Sequence, residues 1–271
     1  MRKWLGIACR GAGFFICAHH HCRKGVKHLE KTNLFDRIHY IQGKAKIACD
    51  KYLKIQFIIS GSENLIEGQK LYVGNHTSLI DPVLFMAIND DPVTVVAKKE
   101  ISATPFFKTF ASYVECPFVD RSDLRSEIRV FRKLNDMIET NRGLSVLIYP
   151  EGTRSKETDF PLLPFHPGTF KVATRQDLPI CPFVMYLPER TIDPQFHYKV
   201  YPIQVAYLKP MMPEEYRTLT NQEIADRLHA RMEVALNEMK AREEMYVQRY
   251  NGYSKEKTTK VLTYKKDSRT Y

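Results

Sequence analysis

No stretch of this 271-residue chain is both long enough and apolar enough to cross a bilayer as a helix. The N-terminal apolar stretch, Trp4 to Ala18, covers 15 residues and contains Arg10, whereas a spanning helix needs roughly 20 apolar residues. Basic residues precede it, as they would in a secretory leader, but no small-x-small cleavage site follows. Cysteine is also sparse. Cys9, Cys17, Cys22, Cys49, Cys116 and Cys181 include no Cys-x-x-Cys pair. That excludes a disulfide scaffold and makes a reducing, cytosolic face the simpler home. His19-His20-His21-Cys22 has no second ligand cluster at a zinc spacing, so it reads as interfacial or solvated histidines with no metal. Zinc-finger, RNP-type and Gly-rich RNA motifs are absent, and no internal repeat is evident.

What is present is a strong, uneven positive charge. The chain carries +10, with 12 basic residues against 3 acidic ones in residues 1–54 and 6 against 2 in residues 250–271. The remainder is nearly neutral, at −3. Basic ends around a neutral body suit an anionic surface. Because the basic N-terminus is also apolar, a membrane with anionic lipids is expected over nucleic acid. Residues 4–18 then read as an interfacial anchor, with Arg2, Lys3, Arg23, Lys24 and Lys27 at headgroup level. The competing reading is a helix packed on the protein body.

At 44% hydrophobic residues the chain can build one large core. Leu34, Ile38, Ile41, Ala45, Ala48 and Tyr52 recur at helical spacing, predicting an amphipathic helix over 33–52. Its polar face, with Arg37, Lys44, Lys46 and Lys51, fits either a bilayer or a helix covering a sheet. Ile55–Ser60, Lys70–Gly74, Val93–Ala97, Cys116–Val119, Leu144–Tyr149, Ile180–Leu187 and Tyr198–Leu208 read as strands. Pro82–Ile88, Thr104–Tyr113 and Asp123–Arg142 read as helices, the last with Leu124, Ile128, Phe131, Leu134 and Ile138 as its apolar stripe. Thr220-Asn221-Gln222-Glu223 is a capping box opening a long C-terminal helix. The expectation is an α/β fold: a mixed, largely parallel sheet flanked by helices, with an N-terminal membrane-associated helical segment. Residues 1–54 would be the basic, apolar anchoring segment, 55–249 the main domain, and 250–271 a mobile basic tail.

Two segments carry chemistry. Asn75-His76-Thr77-Ser78-Leu79-Ile80-Asp81 follows the apolar run Leu71-Tyr72-Val73, and Tyr149-Pro150-Glu151-Gly152-Thr153-Arg154-Ser155 follows Leu144–Ile148. Active sites of open α/β sheets gather at the carboxyl ends of strands, where both segments begin. A neutral imidazole can take a proton from an alcohol, and a carboxylate on its other nitrogen orients it. Residues five apart on one helix diverge by roughly 140°. His76 must therefore sit in a loop and Asp81 at or within the helix start, where Thr77 or Ser78 can cap and Pro82 is tolerated. A helix-capping Asp81 and a merely hydrogen-bonded His76 are the structural alternatives. Ser78 lacks a Gly-x-Ser-x-Gly elbow, so direct attack by an acceptor hydroxyl is expected. Gly152 allows close approach of the backbone to a ligand, and Arg154 can fork onto phosphate oxygens. Glu151 either binds a hydroxyl or holds Arg154. Arg121, with Asp120 beside it to orient it, is a second phosphate candidate, and Lys98 a weaker one.

These residues resemble the glycerolipid acyltransferase family typified by 1-acyl-sn-glycerol-3-phosphate acyltransferase. Asn75, His76 and Asp81 match its Asn-His-x4-Asp motif, and Phe118-Val119-Asp120-Arg121 the second. Residues 149–155 match Phe-Pro-Glu-Gly-Thr-Arg-Ser with Tyr149 in place of Phe, and Leu178-Pro179-Ile180-Cys181-Pro182-Phe183 the fourth. Val96–Glu100 and Pro105-Phe106-Phe107 also have counterparts. The resemblance spans roughly residues 70–210. It departs at Glu115-Cys116-Pro117, where a glycine is usual, and at Phe165-His166-Pro167-Gly168 in place of Phe-Lys-Lys-Gly. It implies acyl transfer from acyl-CoA or acyl carrier protein to lysophosphatidate, or to glycerol 3-phosphate or another lysophospholipid, with no metal or cofactor. A hydrolase using the same dyad is the rival from another class. Phe106, Phe107, Phe110 and Tyr113 would line an acyl groove or pack as helix core. Membrane association at the cytoplasmic face follows from the same resemblance and charge.

Overall fold

The computed structural model describes residues 2–120, 123–155, 160–186, 188–191, 196 and 198–251, with backbone alone over 2–10 and at 124, 127 and 189. Eight strands and eight helices are found among them. In chain order they are α1 (Arg2–Gly25), α2 (Leu34–Ile47), β1 (Ile55–Ser60), β2 (Leu71–Gly74), α3 (Asp81–Ile88), β3 (Val93–Val95), β4 (Ala97–Lys98), α4 (Pro105–Tyr113), β5 (Phe118–Val119), α5 (Leu124–Thr140), β6 (Ser145–Ile148), α6 (Lys171–Gln176), β7 (Ile180–Tyr186), β8 (Tyr201–Tyr207), α7 (Pro213–Tyr216) and α8 (Asn221–Asn251).

Six strands form one sheet in the order β1-β8-β7-β2-β6-β3, parallel throughout except for the β7–β8 pair. Every residue of β2, β6 and β7 is buried, as expected of central strands covered on both faces. Side chains alternate between faces along each strand. Tyr72 and Leu147 therefore join a core under α2 and α3, with Ile38, Leu84 and Phe85. Leu71, Val73, Val146 and Ile148 join the opposite core, with Leu134 of α5 and Leu228 and Met232 of α8. The largely parallel α/β expectation stands.

Several local expectations shift. The predicted strand 93–97 divides at Val96, whose N–H still bonds Leu147 of the main sheet while the N–H of Ala97 turns to Pro117. Ala97–Lys98 then pairs with Phe118–Val119 as a separate two-stranded ribbon. Ile128, assigned to the apolar stripe of α5, is exposed. The capping box forms as read: Glu223 accepts from the Thr220 N–H at 2.7 Å and its own N–H bonds Thr220 Oγ1 at 3.2 Å.

The N-terminal helices lie on the protein. α2 packs against α3, which favours the sheet-covering reading over the bilayer one, and Arg37 of its polar face is 2% exposed. Its guanidinium donates to the carbonyls of Leu29 (2.7 Å) and Thr32 (2.8 Å) and pairs with Glu115, which makes its burial tolerable. α1 runs against α4. Ala18 and Cys22 are buried there, and the His21 ring stacks on Tyr40 at 4.2 Å and bonds the Tyr113 hydroxyl at 3.1 Å. No helix among the described residues is long and apolar enough to cross a membrane. The expected mobile tail falls on residues that, from 252 onward, lie outside the described set, while Tyr250 and Asn251 end α8.

Candidate active site

β2 and β6 are neighbours, paired Leu71–Val146, Tyr72–Leu147 and Val73–Ile148, so the two motif-bearing loops leave the sheet side by side. Gly74 permits this exit, because a Cβ there would lie 2.3 Å from the Phe183 ring. Asn75 ties the loop to β7: its Nδ2 donates to the Met185 carbonyl at 2.9 Å and its Oδ1 accepts from the Met185 N–H at 2.8 Å.

His76 follows in the loop, and Asp81 is the first residue of α3. The His76 Nδ1 lies 2.8 Å from Asp81 Oδ2, which also accepts from the N–H groups of Thr77 (2.8 Å) and Ser78 (2.9 Å). Ile80 rather than Thr77 or Ser78 occupies the cap position; the carboxylate instead folds back over the preceding turn. Asp81 is 2% exposed and the His76 side chain 19%. With a carboxylate on Nδ1, the neutral imidazole keeps its proton there and leaves Nε2 free to accept one.

The second loop holds the first. Glu151 Oε1 accepts from the His76 N–H at 2.6 Å and Oε2 from the Leu163 N–H at 2.9 Å, while the His76 carbonyl accepts from the Ser155 N–H at 2.9 Å. Glu151 thus accepts from a backbone N–H with each of its oxygens, a bracing contact that neither role read for it included. It is 3% exposed, and burial pushes its carboxyl up from 4.5 to about 7 against the opposing pull of the two N–H donors. Gly152 adopts φ +73°, the left-handed region that favours glycine. Thr153 and Arg154 are exposed at the turn.

Lys98 lies on β4 at the rim of the cavity beside His76, paired with Glu100 at 3.1 Å. Arg121 lies outside the described residues, and its expected orienter Asp120 bonds Lys99 Nζ at 2.9 Å. The cavity itself measures about 190 Å³ and is lined by His76 and Tyr149 together with the apolar Val83, Met86, Val95, Phe107, Phe110 and Val114. Of the four aromatics expected there, Phe107 and Phe110 line it. Phe106 stacks on His19 at 5.4 Å, and Tyr113 packs on His21 and Tyr40.

Sequence reasoning passed over one contact. The Tyr149 ring stacks on the His76 imidazole, with centroids 4.5 Å apart and planes at 21°. The signal was available in the alternation of β6, which puts position 149 on the same face as Leu147. The arrangement as a whole offers an oriented base, an apolar cavity beside it, and an exposed guanidinium on the adjoining turn. No group of three or more His, Cys, Asp or Glu residues suited to a metal occurs among the described residues.

Residues 56–186 match the family model described as Acyltransferase. A 1-acyl-sn-glycerol-3-phosphate acyltransferase of Saccharomyces cerevisiae is 29% identical over 184 residues, covering 67% of this chain and 60% of the relative. One from Cocos nucifera is 30% identical over 181 residues, 64% of this chain and 57% of the relative. The chain therefore spans about 60% of the length of these curated relatives. The crystal structure of the 1-acyl-sn-glycerophosphate (LPA) acyltransferase PlsC from Thermotoga maritima superposes with a TM-score of 0.62 over 89% of this chain and 99% of that one. At 18% identity this likeness speaks for the fold.

Proposed function

Since the chain belongs to the acyltransferase family, we propose that it moves a fatty acyl group from an acyl thioester to the free hydroxyl of 1-acyl-glycerol 3-phosphate, giving phosphatidate. The observation that carries this proposal is the 2.8 Å His76–Asp81 contact, with His76 among the residues lining an apolar cavity. His76 Nε2 takes the acceptor's hydroxyl proton as its oxygen attacks the thioester carbonyl. Asp81 stabilises the imidazolium that forms. The acyl chain occupies the cavity, and Arg154, with Arg121, holds the acceptor phosphate. Acyl-CoA or acyl carrier protein serves as donor, and no cofactor enters the reaction. The 1–54 segment holds the 55–249 domain at the cytoplasmic face of a membrane. Exposed Ile16, Phe106, Phe107 and Leu79 support that location: Phe106 and Phe107 meet at 5.7 Å, and Phe107 and Leu79 edge the cavity.

Purified protein given an acyl-CoA with and without lysophosphatidate tests the reaction, with free thiol and product lipid both followed. Acceptor-dependent thiol release and phosphatidate are expected, and His76→Ala should abolish both. Thiol release indifferent to acceptor would replace this proposal with a hydrolase. Product with glycerol 3-phosphate alone would move the acceptor assignment.

A further inference from the structure

Glu115 lies in the stretch where the related motif usually carries a glycine. Its backbone adopts φ +54°, in the left-handed region that glycine enters freely and other residues enter at a cost. A glycine would suit that backbone better, so the reason for glutamate lies in its side chain. The carboxylate pairs with Arg37, the buried cation of α2, which also donates to the Leu29 and Thr32 carbonyls. Burying a guanidinium carries a cost of its own. Both ends of this ion pair are locally unfavourable, and what they hold together is the wall of a cavity.

Val114 and Cys116, on either side of Glu115, line the cavity that holds the acyl chain in the proposed reaction. So does Ile41, one turn beyond Arg37 along α2. α2 in turn packs against α3, which contributes Val83 and Met86 to the lining. The chain runs from α4 directly into the Glu115 segment, where the Val114 and Cys116 N–H groups bond the Phe110 and Ala111 carbonyls. The pair therefore ties the end of α4 to the α2–α3 unit. Two sets of lining residues are fixed relative to each other.

The cavity so held measures about 190 Å³, below the roughly 300–1,000 Å³ usual for ligand pockets. We propose that the Arg37–Glu115 pair is a positioning latch that limits how long an acyl chain the cavity admits. Neither residue lines the cavity; both act through the neighbours they hold. Without the pair, the segment after α4 can move off α2 and the cavity widens toward longer chains. This role rests on the acyl-transfer function proposed above.

Glu115→Gly tests the latch, with octanoyl-CoA and palmitoyl-CoA as donors, lysophosphatidate as acceptor and thiol release as the readout. The palmitoyl-to-octanoyl ratio of kcat/KM should rise by about 10-fold, the order that one methylene commands in an apolar pocket. Arg37→Met combined with Glu115→Gly removes the cation with its partner, leaves no unpaired buried charge, and should show the same shift. A purely structural role would lower turnover of both donors alike and leave their ratio in place. A rise of less than about threefold in the folded variants, or a fall, overturns the proposal. Thiol is released whether the acyl group passes to lysophosphatidate or to water, so a hydrolase would displace the proposed acceptor without erasing the ratio. Wild-type protein that releases no thiol from either donor would sink the acyl-transfer function, and the latch with it.

Discussion

Asp81→Asn separates the two services a carboxylate gives a histidine: orientation and charge. Three donors converge on one oxygen, Oδ2, while Oδ1 is buried with no hydrogen-bond partner among the described residues. An asparagine amide therefore has a preferred orientation. Its oxygen takes the Oδ2 position, facing the Thr77 and Ser78 N–H groups, and its NH2 takes the Oδ1 position. The His76 Nδ1–H bond and the tautomer survive, and what disappears is the negative charge facing the imidazolium. At an effective dielectric near 20, unit charges about 4 Å apart interact by about 4 kcal/mol, and the retained neutral bond returns part of that. A net loss of about 3–4 kcal/mol lowers kcat by about 200- to 1,000-fold. Because the NH2 replaces an oxygen that is itself buried and unpartnered, stability should change by no more than on the order of 1–3 kcal/mol. The assay is acceptor-dependent thiol release by the variant, beside wild type and His76→Ala, with thermal denaturation in parallel. A folded Asp81→Asn enzyme within about tenfold of wild type would refute the reasoning, because the imidazolium would then need no anionic partner.

Glu151→Gln probes the brace behind His76. The native carboxyl holds its proton up to about pH 7, while the unfolded chain releases it near 4.5. Its contribution to stability is therefore full below 4.5 and lost as pH rises through 7. At 1.36 kcal/mol per pKa unit that amounts to about 3 kcal/mol, so the Tm difference between wild type and variant should shrink between pH 5 and 8. A difference independent of pH would contradict the assignment. Arg154→Ala should raise the lysophosphatidate KM by about 10- to 100-fold, the worth of a charge-assisted phosphate bond, with little change in kcat; an unaltered KM would remove Arg154 from the phosphate site. Glutamate at Ile16 and Phe106 together should weaken flotation with anionic vesicles by at least about tenfold, since burying one such side chain contributes about 1.5–3 kcal/mol. Undiminished binding would count against that face as the membrane contact.

Interactions close in sequence were legible without coordinates. The five-residue spacing of His76 and Asp81 allows a contact only across a loop-to-helix junction, and that is where both residues lie. The capping box at Thr220 and the apolar central strands likewise follow from spacing, because each depends on neighbours within a turn or two. Tertiary structure decided whatever depends on partners far along the chain. Arg37 read as part of a polar face fit for a bilayer or for covering a sheet, and only the fold brought Glu115 and two loop carbonyls to meet it. Glu151 read as binding a hydroxyl or holding Arg154, and only the β2–β6 pairing set it under the His76 N–H. The stacking of Tyr149 on His76 arises from that same register. A chain dictates its local geometry through backbone sterics and side-chain period, whereas which distant groups satisfy a buried charge is settled only once the strands have chosen their neighbours.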